Sequence, residues 1–230
     1  MSTETEDIAK LAEKFEGADP QETLKWALKA YNKIAIASSF GAEDVVLIFM
    51  ALKIRPDVEV IYLDTGFQFK ESDETKENFK KLGANIVAYS AAEPIADFKK
   101  KHGDDVWSKN PDLCCKERKV VPLKQALGKL EAWITGMRRE QSPSRANIKV
   151  VEKDGDGRIK INPLAAWNKE KLWKYIKDNK VPYNALHDQN YPSIGCAPCT
   201  KQVLPGQDER AGRWAGKNKL ECGIHTFGKE

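Results

Sequence analysis

Residues 33–44 read Lys-Ile-Ala-Ile-Ala-Ser-Ser-Phe-Gly-Ala-Glu-Asp. The β-branched run Lys33–Ser38 is typical of a strand. It ends in small and polar residues, and a strongly apolar helix is predicted to follow from about Val45 to Leu52. A strand, a short polar loop and a helix in this order are the first unit of an α/β fold.

The alternation of strand and helix patterns continues along the chain. Further strands are predicted at Val58–Leu63, Asn85–Tyr89 and Ala132–Thr135, and helices at Ser72–Leu82 and Asn168–Asn179. Two helical pieces are predicted within residues 6–31, with Asp19-Pro20 starting the second one. A hairpin is predicted where Lys149–Glu152 and Arg158–Ile161 flank a glycine-rich turn. We therefore expect an α/β fold with a doubly wound, mostly parallel sheet.

Composition limits the class of protein. The chain has 230 residues, a net charge of +4 and no apolar run near the ~18 residues of a membrane span. The N-terminal residues are acidic and polar, which is unlike a secretory signal. We expect a cytoplasmic protein that binds neither nucleic acid nor a membrane. Residues 1–205 are predicted to form the α/β domain, and residues 206–230 a mobile C-terminal arm. Homo-oligomer formation is left open.

Three predicted strands end in small or polar residues. The loops begin at Ser38, Asp64 and Gly136, and the first of them opens a helix. In an open α/β sheet, ligands bind beyond the carboxyl ends of the strands, and a helix N-terminus attracts anions. No phosphate-loop lysine motif and no G-x-G-x-x-G is present. The pattern favours a small anionic ligand at this edge without naming it.

Four of the five cysteines occur as two pairs, Cys114-Cys115 and Cys196-Ala-Pro-Cys199. Cytoplasmic thiols stay reduced, so these pairs indicate a metal site more than disulfides. Four thiolates suit either tetrahedral zinc or an iron–sulfur cluster, although adjacent cysteines are unusual for zinc. The fifth, Cys222, lies in a glycine-containing tail close to His225, where a thiolate can act as a nucleophile.

Together these motifs carry a resemblance to a known family. The chain resembles the assimilatory adenylyl-sulfate reductases, the iron–sulfur branch of the (phospho)adenylyl-sulfate reductase family. The motifs that carry the resemblance are Ser38–Asp44, Leu63–Gly66, Arg138–Arg145, the two cysteine pairs and Glu221–His225. The resemblance covers residues 30–226 and implies the adenine-nucleotide α-hydrolase-like fold. The implied substrate is adenosine 5′-phosphosulfate, and the implied thiol donor is thioredoxin or a similar dithiol protein.

The resemblance also implies roles for individual residues. A 4Fe–4S cluster would be bound by Cys114, Cys115, Cys196 and Cys199. The nucleotide pocket would be lined by Ser38, Ser39, Gly41, Leu63 and Gly66. The phosphosulfate would face Arg138, Lys119, Arg210 and Arg213. Cys222, with His225 beside it, would attack the sulfate sulfur and carry an S-sulfonate, which an external thiol would release as sulfite.

Alternatives remain at this stage. One is a reductase that uses 3′-phosphoadenylyl sulfate, or both nucleotides; the others are a zinc-stapled adenylating tRNA-modifying enzyme and a non-enzymatic iron–sulfur sensor. Glu43 and Asp44, at the end of the first loop, predict repulsion of a 3′-phosphate, so the unphosphorylated nucleotide is expected to be preferred.

Overall fold

The computed structural model describes residues 8–217, 219 and 221–225. They contain a six-stranded sheet in the order β3-β2-β1-β4-β6-β5. The strands are β1 (Ile34–Ser38), β2 (Glu59–Asp64), β3 (Asn85–Ser90), β4 (Ala132–Ile134), β5 (Val151–Lys153) and β6 (Ile159–Ile161). Every neighbouring pair is parallel except β5 and β6, which form the predicted antiparallel hairpin. The predicted fold class is confirmed.

The helices cover both faces of this sheet. They are α1 (Ile8–Phe15), α2 (Pro20–Ala30), α3 (Ala42–Leu52), α4 (Lys70–Lys81), α5 (Ile95–His102), α6 (Val106–Lys109), α7 (Pro111–Cys115), α8 (Val121–Leu127) and α9 (Lys169–Asn179). Asp19 caps α2 as predicted, because its side chain accepts a hydrogen bond from the Gln21 amide. Beyond Val181, the described residues form short 3₁₀ turns and one isolated antiparallel bridge between Thr200 and Arg213.

A continuous helical segment runs from Pro111 to Leu127. A π-helical turn, Lys116–Val120, joins α7 to α8 directly behind Cys114 and Cys115. The apolar periodicity of the sequence does not indicate this segment, and we did not predict it. Such turns occur frequently at functional sites, because they change the direction in which side chains leave the helix.

Two of the clusters of buried residues lie on opposite faces of the sheet. One contains buried residues of α2, α3 and α9, including Leu24, Val46 and Ile176. The other packs α8 on β1, β2 and β4, and Ile224 from the arm adds to it. The chain runs outward from β1 to β2 and β3 and then returns to β4 on the opposite side of β1. This reversal opens a crevice at the carboxyl ends of β1 and β4, where ligands bind in such folds.

Candidate active site

The loop after β1 is held in a specific conformation by its own side chains. Ser38 Oγ accepts a hydrogen bond from the Phe40 amide at 3.0 Å, and Asp44 accepts hydrogen bonds from the amide and hydroxyl of Ser39 at 2.6 and 2.9 Å. Phe40 has a φ of 57°, which is unusual outside glycine, and its ring is fully buried against Tyr62. The loop is therefore fixed before any ligand binds, at the N-terminus of α3.

Asp44 is the most perturbed carboxylate of this loop. Burial raises its pKa from 3.8 to about 6, the hydrogen bonds from Ser39 oppose the rise, and the neighbouring Glu43 adds to it. Glu43 itself accepts a hydrogen bond from Arg138 at 2.8 Å. The sequence predicts that these two carboxylates repel a 3′-phosphate. Arg138 partly offsets the charge of Glu43, but the neutral Ser39 donors leave the charge of Asp44 in place, so this stays a prediction.

A large cavity lies beyond the ends of β1, β2 and β4 and extends to the C-terminal arm. Its strand-end wall includes Ser38, Ser39, Gly41, Leu63 and Gly136. The cavity is also lined by four cationic side chains, Lys119, Arg145, Arg210 and Arg213, which we call the cationic wall. Cys222 and His225 line this cavity as well. A polyanionic nucleotide in the cavity would therefore meet the fixed loop, the cationic wall and a thiol.

The arm is packed onto the domain in this structure. Cys222 is 8% exposed and clusters with Cys115 and Trp214. His225 stacks on Trp133, with ring centroids 6.0 Å apart and planes 10° apart. Burial and the nearby Lys160, Arg145, Arg210 and Lys119 hold the pKa of His225 well below its usual range. The imidazole is therefore neutral near pH 7, and its Nδ1 has no hydrogen-bond partner among the described residues.

The four remaining cysteines line a second, smaller cavity next to the first. Cys114, Cys115, Cys196 and Cys199 share its wall with aromatic and cationic side chains. Burial raises the pKa of Cys114 to about 12 and that of Cys115 to about 11. The pKa of Cys196 is lowered: burial opposes this, but Lys119, Thr65 and Arg213 outweigh it. Thr65 Oγ1 lies 3.4 Å from Cys196 Sγ.

The four sulfurs surround a common space without converging on one point. Within residues 8–217, 219 and 221–225, no three His, Cys, Asp or Glu side chains are arranged to hold a single metal ion. A cluster has separate iron corners, so sulfurs spread around one cavity suit it better than they suit one zinc ion.

Lys119, Cys196 and Arg213 line both cavities. Burial disfavours the charged form of Lys119, but Cys196 and Cys222 outweigh it and raise its pKa. Arg213 donates to the Ile194 carbonyl at 3.3 Å and lies over the Trp214 ring. These side chains form the partition between the thiol-lined cavity and the larger one, so charge on either side acts on the other.

Two predicted residues do not line the large cavity. Arg138 is 1% exposed and pairs with Glu43, Glu140 and Glu209, so three carboxylates hold it away from the cationic wall. Gly66 forms the turn after β2 with a φ of 75° and lies against Ile95 and Arg118. The structure thus places neither residue on the wall of the large cavity, and their contact with a ligand stays a prediction.

The residues that line the cavity without a role given from the sequence include Arg145, His187 and Glu221. Arg145 and Glu221 each stand at the end of a motif quoted above, which is the signal that could have identified them. His187 gives no such signal. Its pKa is lowered by burial.

Comparison with known proteins bears on this arrangement. Residues 33–202 match the model of the phosphoadenosine phosphosulfate reductase domain family. The chain belongs to this family. No described helix is long and apolar enough to span a membrane.

Curated relatives within the family are similar over nearly the whole chain. An adenosine 5′-phosphosulfate reductase from Halalkalibacterium halodurans is 44% identical over 95% of this chain and 96% of its own length. Adenosine 5′-phosphosulfate reductase 1 of Bacillus subtilis is 45% identical over 88% of both chains. The family assignment made from the motifs is confirmed.

Solved structures give the same fold. The phosphoadenylyl-sulfate reductase of Candida auris, solved as a phosphate complex, has a TM-score of 0.77 and 32% identity, covering 88% of this chain and 99% of its own. Yeast FAD synthetase, with a TM-score of 0.57 and 12% identity over 88% of this chain and 70% of its own, shares the fold alone.

Proposed function

We propose that this protein reduces adenosine 5′-phosphosulfate to sulfite and AMP in sulfate assimilation, with Cys222 as the nucleophile. The observation that carries the proposal is the single cavity that joins the fixed loop after β1 to the cationic wall, Cys222 and His225. The curated relatives named adenosine 5′-phosphosulfate reductase, at 43–45% identity, support the same substrate.

The nucleotide would lie across the strand ends. Ser38, Ser39, Gly41 and Leu63 would contact its nucleoside and phosphate, and the N-terminus of α3 would add favourable electrostatic potential. Arg145, rather than the ion-paired Arg138, would join Lys119, Arg210 and Arg213 in neutralising the phosphosulfate oxygens. This neutralisation lowers the repulsion that shields the sulfur from an anionic nucleophile.

The first chemical step uses Cys222. Its thiolate forms a bond to the sulfate sulfur, the bond between that sulfur and the bridging phosphate oxygen breaks, and AMP leaves with the electron pair. The neutral His225 is placed to accept or donate a hydrogen bond in the cavity. The cations would stabilise the charge that develops on the leaving phosphate.

The second step requires an external dithiol. A thiolate attacks Cys222 Sγ, the bond to the sulfonate breaks, and sulfite leaves with the electron pair; the second thiol then resolves the mixed disulfide. The dithiol is oxidised by two electrons. The other four cysteines line a separate cavity, so a thioredoxin-type protein is the proposed reductant, which also suits a cytoplasmic location.

The four cysteines fit a 4Fe–4S cluster, for the geometric reason given above. Bound there, it would supply charge and structural restraint next to the substrate rather than the reducing electrons. Lys119 and Arg213, in the partition, would balance negative charge on both sides.

The decisive experiment combines mass and turnover. Anaerobically purified protein incubated with adenosine 5′-phosphosulfate and no thiol should gain the mass of one SO₃, and Cys222→Ser should not. Addition of thioredoxin should then release sulfite. Both nucleotides are compared, because the similar solved structure is a phosphoadenylyl-sulfate reductase. An adduct on another cysteine, or turnover by Cys222→Ser, contradicts the proposal.

A further inference from the structure

The carboxylate of Glu221 is bound by two arginines of the cationic wall. Arg145 donates to both of its oxygens, with Nε–Oε1 at 2.8 Å and Nη2–Oε2 at 2.9 Å. Arg210 Nη2 donates to Oε2 at 3.0 Å, and the Ser144 hydroxyl lies 3.3 Å from Oε1. The side chains of Glu221, Arg145 and Arg210 are 14%, 8% and 12% exposed. This is a built, largely buried anion site, and the chain itself fills it.

Two forked guanidinium groups around one planar anion form the arrangement by which proteins bind carboxylate, phosphate and sulfate. The site lies in the cavity where the phosphosulfate is proposed to bind, and Arg210 was predicted to contact it. Glu221 also directly precedes Cys222. A ligand oxygen that takes these donors must therefore displace a carboxylate one residue away from the nucleophile.

We infer that Glu221 is a positioning residue that holds the arm in a closed position by occupying the Arg145–Arg210 anion site, and that substrate oxyanions compete with it for these arginines. The inference rests on the proposed function for the identity of the substrate, but its test does not use turnover. In the free protein, the Glu221 contacts hold Cys222 buried; anion binding releases them and frees the arm to be repositioned.

The first test measures anion affinity. Glu221→Gln keeps the size of the side chain and removes its charge, so the competing ligand is weakened. Inorganic sulfate is titrated into the wild-type protein and the variant by calorimetry at fixed ionic strength. We expect at least tenfold tighter sulfate binding by Glu221→Gln, equivalent to about 1.4 kcal/mol.

A matched control is available at another arginine. Glu16 accepts two hydrogen bonds from Arg139, at 2.6 and 2.7 Å, and neither residue lines the cavity. Glu16→Gln removes the same charge from the same kind of paired contact. It should leave sulfate affinity at the wild-type value, which separates a local effect from a change in net charge.

The second test follows the arm through Cys222. Its alkylation by the neutral reagent iodoacetamide is measured by peptide mapping, because Cys222 is buried in the closed arrangement. Glu221→Gln should be alkylated several-fold faster than the wild type. Saturating inorganic sulfate should speed alkylation of the wild type itself, and this measurement remains informative even if the variant folds poorly.

Each outcome decides the matter. Unchanged or weaker sulfate binding by Glu221→Gln, or sulfate that leaves wild-type alkylation unchanged or slows it, overturns the inference. The proposed function is tested separately, by sulfite release from the wild type. If sulfate competes with Glu221 but no sulfite is released, the inference about Glu221 stands and the proposed reductase activity is wrong. If sulfite is released but sulfate does not compete with Glu221, only the inference about Glu221 is wrong.

Discussion

Asp44→Asn tests whether the ionised carboxylate of Asp44, in the loop after β1, destabilises the folded protein. The Asp44 carboxylate is held by the amide and hydroxyl of Ser39, and burial raises its pKa from 3.8 to about 6. The folded protein therefore binds this proton more tightly than the unfolded chain does. Ionising the group destabilises the fold: the cost is absent below about pH 4, grows between about pH 4 and 6, and is complete above about pH 7.

The size of the effect follows from the shift. A rise from 3.8 to about 6 is worth about 3 kcal/mol at ~1.36 kcal/mol per pKa unit. The carboxylate borders the cavity, so water there reduces this figure. Asn carries no charge but loses about 1 kcal/mol of hydrogen bonding to Ser39. We expect Asp44→Asn to be more stable above pH 7 by about 1–2 kcal/mol, or roughly 2–8 °C in melting temperature for a chain of this size.

The assay is thermal unfolding of anaerobically purified protein between pH 4 and 8. The difference between variant and wild type should grow with pH and level off near pH 7. Asp178→Asn, which removes an exposed carboxylate paired with Lys174, is the control and should show no such rise. If the difference in melting temperature between Asp44→Asn and the wild type is independent of pH, or shrinks as pH rises, the ionised Asp44 does not destabilise the fold. The more stable Asp44→Asn should nevertheless bind AMP more weakly, since its loop is less ordered.

Three further substitutions test the site. Gly136→Ala should weaken AMP binding at least tenfold, because its methyl group would overlap the carboxylate of Asp44. The control is Gly128→Ala, where the nearest atom to the added methyl group is 3.5 Å away; it should bind AMP as the wild type does in calorimetry. Trp133→Phe should lower kcat about tenfold with little change in KM, since it removes the surface on which His225 stacks; an equal rise in KM would point to a binding role instead. Lys119→Gln should lower kcat/KM for sulfite formation by about a hundredfold while iron content is retained, because Lys119 lines both cavities. Full activity of this variant would show that the charge of Lys119 between the cavities is not needed.

The regular part of the fold could be predicted because its signals are strong and local. The strands are short β-branched runs, and β1, β2, β3 and β4 begin and end within a residue of the predicted bounds. Residues 95–127 carry no comparable signal. They are rich in lysine and break into short helices, and the π-helical turn at Lys116–Val120 changes the helical period. A periodicity argument cannot find a helix whose period changes inside it.

The site was predictable in residue types and less so in which residue faces the ligand. Arg138 and Arg145 belong to one motif, but 3₁₀ turns lie between them and rotate their side chains to different sides. Arg138 is then neutralised by carboxylates from distant parts of the chain, including Glu43 and Glu209, which no local pattern reveals. The same pairing weakens the repulsive charge of Glu43, whereas Asp44 is contacted by the neutral donors of Ser39, so the expected nucleotide preference stays a prediction.

The two halves of the proposed reaction place opposite demands on the arm. Attack on the phosphosulfate needs Cys222 in the cavity that Lys119 and Arg210 also line. In this position Cys222 is 8% exposed, and Ile224 packs into the core on the α8 side of the sheet. Release of sulfite needs the sulfur of Cys222 to meet the thiolate of another protein, which cannot enter a site this enclosed. One arm position therefore cannot serve both steps. The ion pairs of Glu221 suit this demand, because charged contacts shared with the substrate's anionic groups can be exchanged without rebuilding the apolar core beneath them.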